Sequence, residues 1–358
     1  MPAWLTTRNL VIGLVAAGAT ALTLGLRTAG AADVAVFAGS ALALAGLAAL
    51  VGEGTEQLGR RLGPRATGVL QSGLGNLPEF FIGIFALRAG LLDVVRAALV
   101  GSILANTLLV LGLAFIAGGL RHGPQRFGTD QTRLMSTLLV LAVAALAIPS
   151  IAAAPGGPAE GHAVELSVVV CVVLLVVFLA SIPFSIAGSV GPTEDPGMGE
   201  ASWPLPLAIG ALVVAGLAAV FVSDWFVASL RPAMGALGMS ETFAGFVVVA
   251  IAGNAVENVV GVQAMLANKG DLAISVILNS SLQVALALAP ILVFASLFIG
   301  GGTLTLVVSP LLVAALALAT LLAAMVVIDG ESTWLEGLAL VGLYVILAAS
   351  LWWGPPIG

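Results

Sequence analysis

Apolar residues run along this chain in stretches of roughly 20, separated by short polar or glycine-rich breaks. A helix of that length spans about 30 Å, the thickness of a bilayer's hydrocarbon core. Eleven such spans can be drawn, at about 9–27, 33–52, 66–88, 94–118, 133–153, 163–187, 204–228, 241–267, 271–298, 303–327 and 334–353. The pattern predicts an all-α polytopic membrane protein with about 11 transmembrane helices. The first run follows Arg8 and precedes the small residues TAGAADVA, which resembles a secretory signal. At about 17 residues it exceeds the apolar core of a usual signal, so it is read as a retained helix.

Polar positions interrupt the apolar background twice in the same way. One stretch begins at Gly75 (GNLPEFFIGIF) and the other at Gly253 (GNAVENVVGVQ), and the two align without a gap. Asn76 matches Asn254, Glu79 matches Glu257, Gly83 matches Gly261, Asp93 matches Asp271 and Ser102 matches Ser280, each pair 178 apart. This reads as an internal duplication. Setting aside an N-terminal helix (1–32) leaves a first set of five spans (33–187), an acidic linker (188–203) and a second set of five (204–358). Five is odd, so the second set enters from the opposite face. Two inverted five-helix repeats are an architecture of secondary transporters, whose sites lie near the midplane at the repeat interface.

Composition narrows the classes further. The chain is 60% hydrophobic and only 8% charged, against about 25% charged in soluble domains. No segment could build a separate soluble core, and nothing resembles a basic nucleic-acid surface. The expected partners are the lipid bilayer and the transported cations, with assembly into a homo-oligomer left open. Cys171, the single cysteine, excludes an intrachain disulfide. Eight basic residues (Arg8, Arg60, Arg61, Arg65, Arg121, Arg126, Arg133, Lys269) fall on the N-terminal side of the spans and four (Arg27, Arg88, Arg96, Arg231) on the other. That bias predicts a cytoplasmic N-terminus and an external C-terminus, in the inner or plasma membrane, with Glu194, Asp195 and Glu200 of the linker in the cytoplasm.

A carboxylate at mid-membrane costs about 2.5–3.5 kcal/mol even on a mild scale, so Glu79 and Glu257 are the prime candidates for a site, including any metal. Asn76 and Asn254 each precede a glutamate by three residues, which puts each pair on one helical face. Gly75 and Pro78 bracket the first asparagine, and the proline is expected to break a helix and free carbonyls there. A second polar row follows in each copy: Ser102 and Asn106, then Asn279, Ser280 and Gln283. Oxygen ligands alone suit hard cations such as calcium and argue against zinc or copper. The competing reading of the Ser, Asn and Gln positions is glue between helices. Glu53, Glu56 and Asp224 lie near span ends, as cavity mouths or as tolerated interface charges. Asp93 and Asp271 open spans and read as caps, while His122 and His162 read as solvated loop residues.

These motifs, GNLPE and GNAVEN with GSILANTLLVLG and NSSLQVALALAP after them, together with TEQLG at Thr55–Gly59 and LGMSETFAG at Leu237–Gly245, resemble the Ca2+/H+ exchanger branch of the calcium/cation antiporter superfamily. The likeness covers about Gly39 to Pro290. It implies that Glu79 and Glu257 bind calcium and protons alternately, surrounded by Asn76, Asn254, Ser102, Ser280 and Gln283, with no resident cofactor and no enzymatic chemistry. The chain departs from that branch at Asn258, where a histidine is typical, at Asn279, where a glycine is typical, and in a less acidic linker. The first two departures keep open a Na+-coupled antiporter, either Na+/Ca2+ or Na+/H+, on the same scaffold. A cation channel is the weaker alternative, since no filter-like loop is visible.

Overall fold

The structure, a computed structural model, describes residues 6–62, 74–188 and 203–353. Residues 189–202 of the expected acidic linker, with Glu194, Asp195 and Glu200, lie outside the described residues, as do residues 66–73 of the expected third span. Helix follows helix in chain order: α1 (Thr7–Thr28), α2 (Asp33–Leu62), α3 (Leu77–Arg88), α4 (Leu92–His122), α5 (Thr129–Ala152), α6 (Ala163–Gly188), α7 (Leu205–Leu237), α8 (Glu241–Gly253), α9 (Ala255–Leu266), α10 (Gly270–Ile299), α11 (Pro310–Val327) and α12 (Trp334–Trp352). Two short antiparallel strands, β1 (Gln125–Arg126) and β2 (Glu331–Ser332), join the loops after α4 and α11. Among the described residues nine helices are long and apolar enough to cross a membrane, or ten if α8 and α9, bent by 63° at their junction, form one span. Among the described residues the expected count of eleven is therefore not reached. The span expected at 66–88 is described only from residue 74, and there it carries the 12-residue α3.

The duplication is written in the helix boundaries. α3 and α9 are both 12 residues long and start at Leu77 and Ala255, the same 178 apart. α4 and α10 begin at Leu92 and Gly270, again 178 apart. Short stretches of wider π-helix interrupt α4 (Ala105–Val110), α8 (Ala244–Val249) and α10 (Val284–Leu288). Such turns tend to sit at functional positions.

The helices fall into two compact units. The first comprises residues 1–85, 177–237 and 252–256, and the second comprises the remainder. Small residues set the packing of the first unit. A Cβ added at Gly46 of α2 would lie 2.8 Å from the Ala16 Cα of α1, and one at Gly54 would lie 2.9 Å from Leu212 of α7. Phe37 and Phe226 stack at 4.9 Å between ring centres. The pairs 37–226 and 54–212 run in opposite senses, so α2 and α7 are antiparallel.

In the second unit α4 touches α8 backbone to backbone. Gly101 lies against Phe246, and Gly245 lies against Val94 and Ala97. α4 meets α12 through Gly112 and Gly337 in the same manner. Close helix approach through glycine replaces the hydrophobic drive that lipid cannot supply. Elsewhere α6 and α7 turn Val172, Val173, Val214 and Leu217 outward. A face of that kind matches hydrocarbon, not water.

Candidate functional site

Glu79 is the third residue of α3, and Pro78 is the second. A proline in the first helical turn removes no intrahelical hydrogen bond, because that N–H has no partner to lose. Pro78 therefore sits in the first turn of α3, just after the chain leaves helix at residue 74 and turns through Gly75 and Asn76, where the break was expected. Before it, Asn76 lies in a turn and its carbonyl accepts the Phe80 N–H at 2.9 Å. Glu79 is only 3% exposed. Its aliphatic stem faces Gly253, where an added Cβ would lie 3.1 Å from Glu79 Cβ. Within the first unit, the glycine of the second motif thus packs on the glutamate of the first.

Asn254 is fully buried at the junction of α8 and α9, where the chain bends by 63°. No proline stands there, so the break that the sequence left uncertain in this copy is nonetheless made. Glu257, half-buried, is the third residue of α9, as Glu79 is of α3. Both carboxylates therefore sit in the first turn of a short helix. The unsatisfied N–H groups and the helix dipole there favour negative charge by about 0.3–1 kcal/mol.

The polar rows fall in the second unit. Ser102 and Asn106 of α4 are completely buried, as are Ser280 and Gln283 of α10 to within a few per cent. Asn106 lies in the first π-helical turn, and its Nδ2 donates to Ser280 Oγ at 2.9 Å. Gln283 immediately precedes the π-helical turn of α10. The two positions that depart from the family pattern, Asn258 and Asn279, are half-buried. Among the described residues the buried Oδ1 of Asn258 has no hydrogen-bond partner.

Glu53 is buried near the end of α2, and the structure surrounds it with a network the sequence did not reveal. Gln57 Nε2 donates to Glu53 Oε1 at 2.8 Å, and Gln57 Oε1 accepts the Trp203 N–H at 3.2 Å. Arg61 Nη2 donates to the Trp203 carbonyl at 2.5 Å. Glu53, Gln57 and Arg61 recur every four residues and so share a face. That spacing was visible in the sequence, but Trp203, 146 residues away, was not. Glu56 pairs with Arg60 at 2.6 Å. Asp224 is exposed and lies 4.0 Å from Arg27, whose guanidinium also covers the Trp225 ring.

Asp93 and Asp271 occupy first turns, yet neither helix has a side-chain cap from them. Asp93 pairs with Arg96 at 2.7 Å, and Asp271 accepts the Gly128 N–H. His122 and His162 are both exposed, the former contacting the Leu266 carbonyl and the latter lying 3.9 Å from Glu165.

Comparison with known proteins decides the family. A family profile described as "Sodium/calcium exchanger protein" matches residues 33–187 and again residues 207–353. The chain belongs to the sodium/calcium exchanger protein family. Among its relatives in that family, a Ca(2+)/H(+) antiporter of Synechocystis is 36% identical over 345 residues, covering 91% of this chain and 92% of that protein. The Ca(2+)/H(+) antiporter ChaA of Bacillus subtilis is 33% identical over 322 residues, covering 87% of this chain and 90% of the relative. The solved structure of native YfkE superposes with a TM-score of 0.83 at 29% identity, covering 95% of this chain and 99% of the other. This family member is accordingly an integral membrane protein, and these relatives are transporters, not enzymes.

Proposed function

We propose that this protein is a secondary antiporter that exchanges Ca2+ for H+ at a midplane site to which Glu79 and Glu257 each contribute one carboxylate. One observation carries the reading. The two glutamates occupy the third positions of two equal helices whose starts are 178 residues apart, in a chain 36% identical to a Ca(2+)/H(+) antiporter. Asn76, Asn254, Ser102, Ser280 and Gln283 supply amide and hydroxyl oxygens around them. Such a set fits a calcium ion, which takes six to eight oxygens in flexible geometry.

Charge balance then gives the coupling. Two carboxylates sharing one ion at about 5 Å repel by about 3 kcal/mol at an effective dielectric of 20. A doubly ionised, empty site is costly once closed to water, whereas one Ca2+ or bound protons neutralise it. The two loads compete for the same oxygens, so one leaves when the other enters. If the protein alternates between inward- and outward-facing forms only when neutralised, exchange follows without covalent chemistry. With a cytoplasmic N-terminus in the plasma or inner membrane, an inward proton gradient exports calcium.

Inside-out vesicles test this. An imposed proton gradient, followed by a pH dye, should collapse on adding micromolar Ca2+ and should persist with Glu79→Gln or Glu257→Gln. Collapse by Na+ alone would move the function to Na+/H+ antiport, the reading that Asn258 and Asn279 keep open. Wild-type exchange in either glutamine variant would sink the two-glutamate site.

A further inference from the structure

We propose that Asn258 is a ligand of the transported cation, its side-chain carbonyl joining the Glu257 carboxylate along one seam of α9. This deepens the two-glutamate reading and rests on it. Asn258 Oδ1 is buried, and among the described residues no group donates a hydrogen bond to it. An amide oxygen can only accept, and a buried acceptor is destabilising unless a donor or a cation meets it. Successive residues of a helix point about 100° apart. Gly261 and Met265 lie four and eight positions after Glu257, and three and seven after Asn258, so their line runs between those two directions. Both are buried, and a Cβ added at Gly261 would lie 2.7 Å from Ile277 of α10 and 3.5 Å from Val110 of α4. The carboxylate and the amide therefore flank the face that α9 turns toward α10 and α4.

The layer next to that contact is polar. A short turn at residues 267–269 joins α9 to α10, and Gly261 meets Ile277 across it, so the two helices run antiparallel. One turn back from Gly261 along α9 then matches one turn onward from Ile277 along α10, which brings Asn258 level with Ser280. Ser280 belongs to the row proposed to surround the ion. An amide oxygen in that layer adds coordination without adding charge. Calcium takes six to eight oxygens, asparagine carbonyls among them, while two glutamates already balance its two charges. The counterpart of Asn258 at the 178-residue offset is Phe80, whose side chain has no oxygen. Only the second repeat supplies this ligand.

The test is Ca2+ binding, measured by calorimetry on the purified protein in mild detergent and read beside its melting temperature without Ca2+. Asn258→Leu removes the oxygen at similar volume. It should weaken Ca2+ binding about tenfold, the worth of one polar contact to a charge. Its melting temperature without Ca2+ should be unchanged or higher, because an unpaired buried acceptor has given way to an apolar group. A merely structural asparagine predicts the reverse, a lower melting temperature at wild-type affinity, and that result overturns the proposal. Wild-type affinity in Asn258→Leu overturns it at any melting temperature. Asn258→Asp is the second variant, since it keeps an oxygen in place and adds charge. It should bind Ca2+ at least as tightly as wild type, which upholds the ligand role even if the leucine variant melts lower. Weakened binding in both variants overturns it. Glu257→Gln, measured alongside, tests the underlying reading separately: wild-type Ca2+ affinity there sinks the two-glutamate site. If wild type binds Na+ and not Ca2+, the calcium reading fails and the same variants are titrated with Na+. Loss in Asn258→Leu with retention in Asn258→Asp then still makes Asn258 a ligand, and any other pattern overturns it.

Discussion

Replacing Gly101 with alanine probes the contact that holds α4 to α8. A Cβ at Gly101 would fall on the carbonyl, Cα and C of Phe246, with the Cα at 2.6 Å. All of these are backbone atoms of another helix, so no side chain can swing aside and the two helices must separate. Overpacking a dense core costs about 1–3 kcal/mol, and the lack of any movable neighbour places this site at the upper end. Alanine regains about 1 kcal/mol of helix propensity over glycine, which leaves a net loss of about 1–2 kcal/mol. Gly216 of α7 supplies the control, since nothing lies within 4 Å of its would-be Cβ. There the propensity gain stands alone, and Gly216→Ala should be neutral or stabilising by up to about 1 kcal/mol. Thermal unfolding of the two variants in the same mild detergent measures the difference directly, and Gly101→Ala should melt clearly below both wild type and Gly216→Ala. Equal stability of the two alanine variants would show that α4 and α8 do not meet at Gly101.

Gln57→Ala removes the group that bridges Glu53 to the Trp203 N–H, and it should lower stability by about 1–3 kcal/mol, since buried partners lose their hydrogen bonds; the same unfolding assay reads it, and an unchanged midpoint would refute the bridge. Arg126→Ala breaks the 2.8 Å pair with Glu331, but both side chains are more than half exposed. An exposed pair is worth little, so the midpoint should stay within experimental error at low and high salt. Ser240→Ala deletes a hydroxyl that caps Phe243 N–H at 2.9 Å and donates to the Leu351 carbonyl at 2.6 Å. Cap and buried bond together should cost about 1–3 kcal/mol, checked against Ser240→Thr, which retains the hydroxyl.

Much of the architecture was legible because the bilayer imposes one rule, that apolar runs become helices with their backbone bonds closed internally. The glycine-asparagine motifs marked where α3 and α9 begin, because turns and first helical turns have their own residue chemistry. The residues that are not legible share a cause. The π-helical stretches ANTLLV and VALAL are as apolar as the α-helix around them, and an extra residue per turn leaves no trace in hydropathy. The bend at Asn254 needs no proline, so the absence of one from the second copy was no guide to it. Contacts such as Trp203 with Gln57, or Gly101 with Phe246, depend on which helices become neighbours, and a one-dimensional pattern does not encode that.

The departures from symmetry carry more information about mechanism than the symmetry itself. An inverted repeat can exchange its two faces only to the extent that its halves are interchangeable. Here the helix starts, the asparagines, the glutamates and one serine in each half coincide at a single offset, so both halves are equipped to hold a charge. They diverge at the residues beside those groups: Pro78 against Val256, Phe80 against Asn258, Gly101 against Asn279 and Asn106 against Val284. Each of these changes replaces a neighbour of a candidate ligand without removing the candidate itself. Carboxylates that are alike in number but unlike in setting bind a given load with unequal strength. On the proposed two-glutamate reading, that inequality would let competition between a divalent ion and protons run as an ordered cycle, with one half releasing its proton before the other.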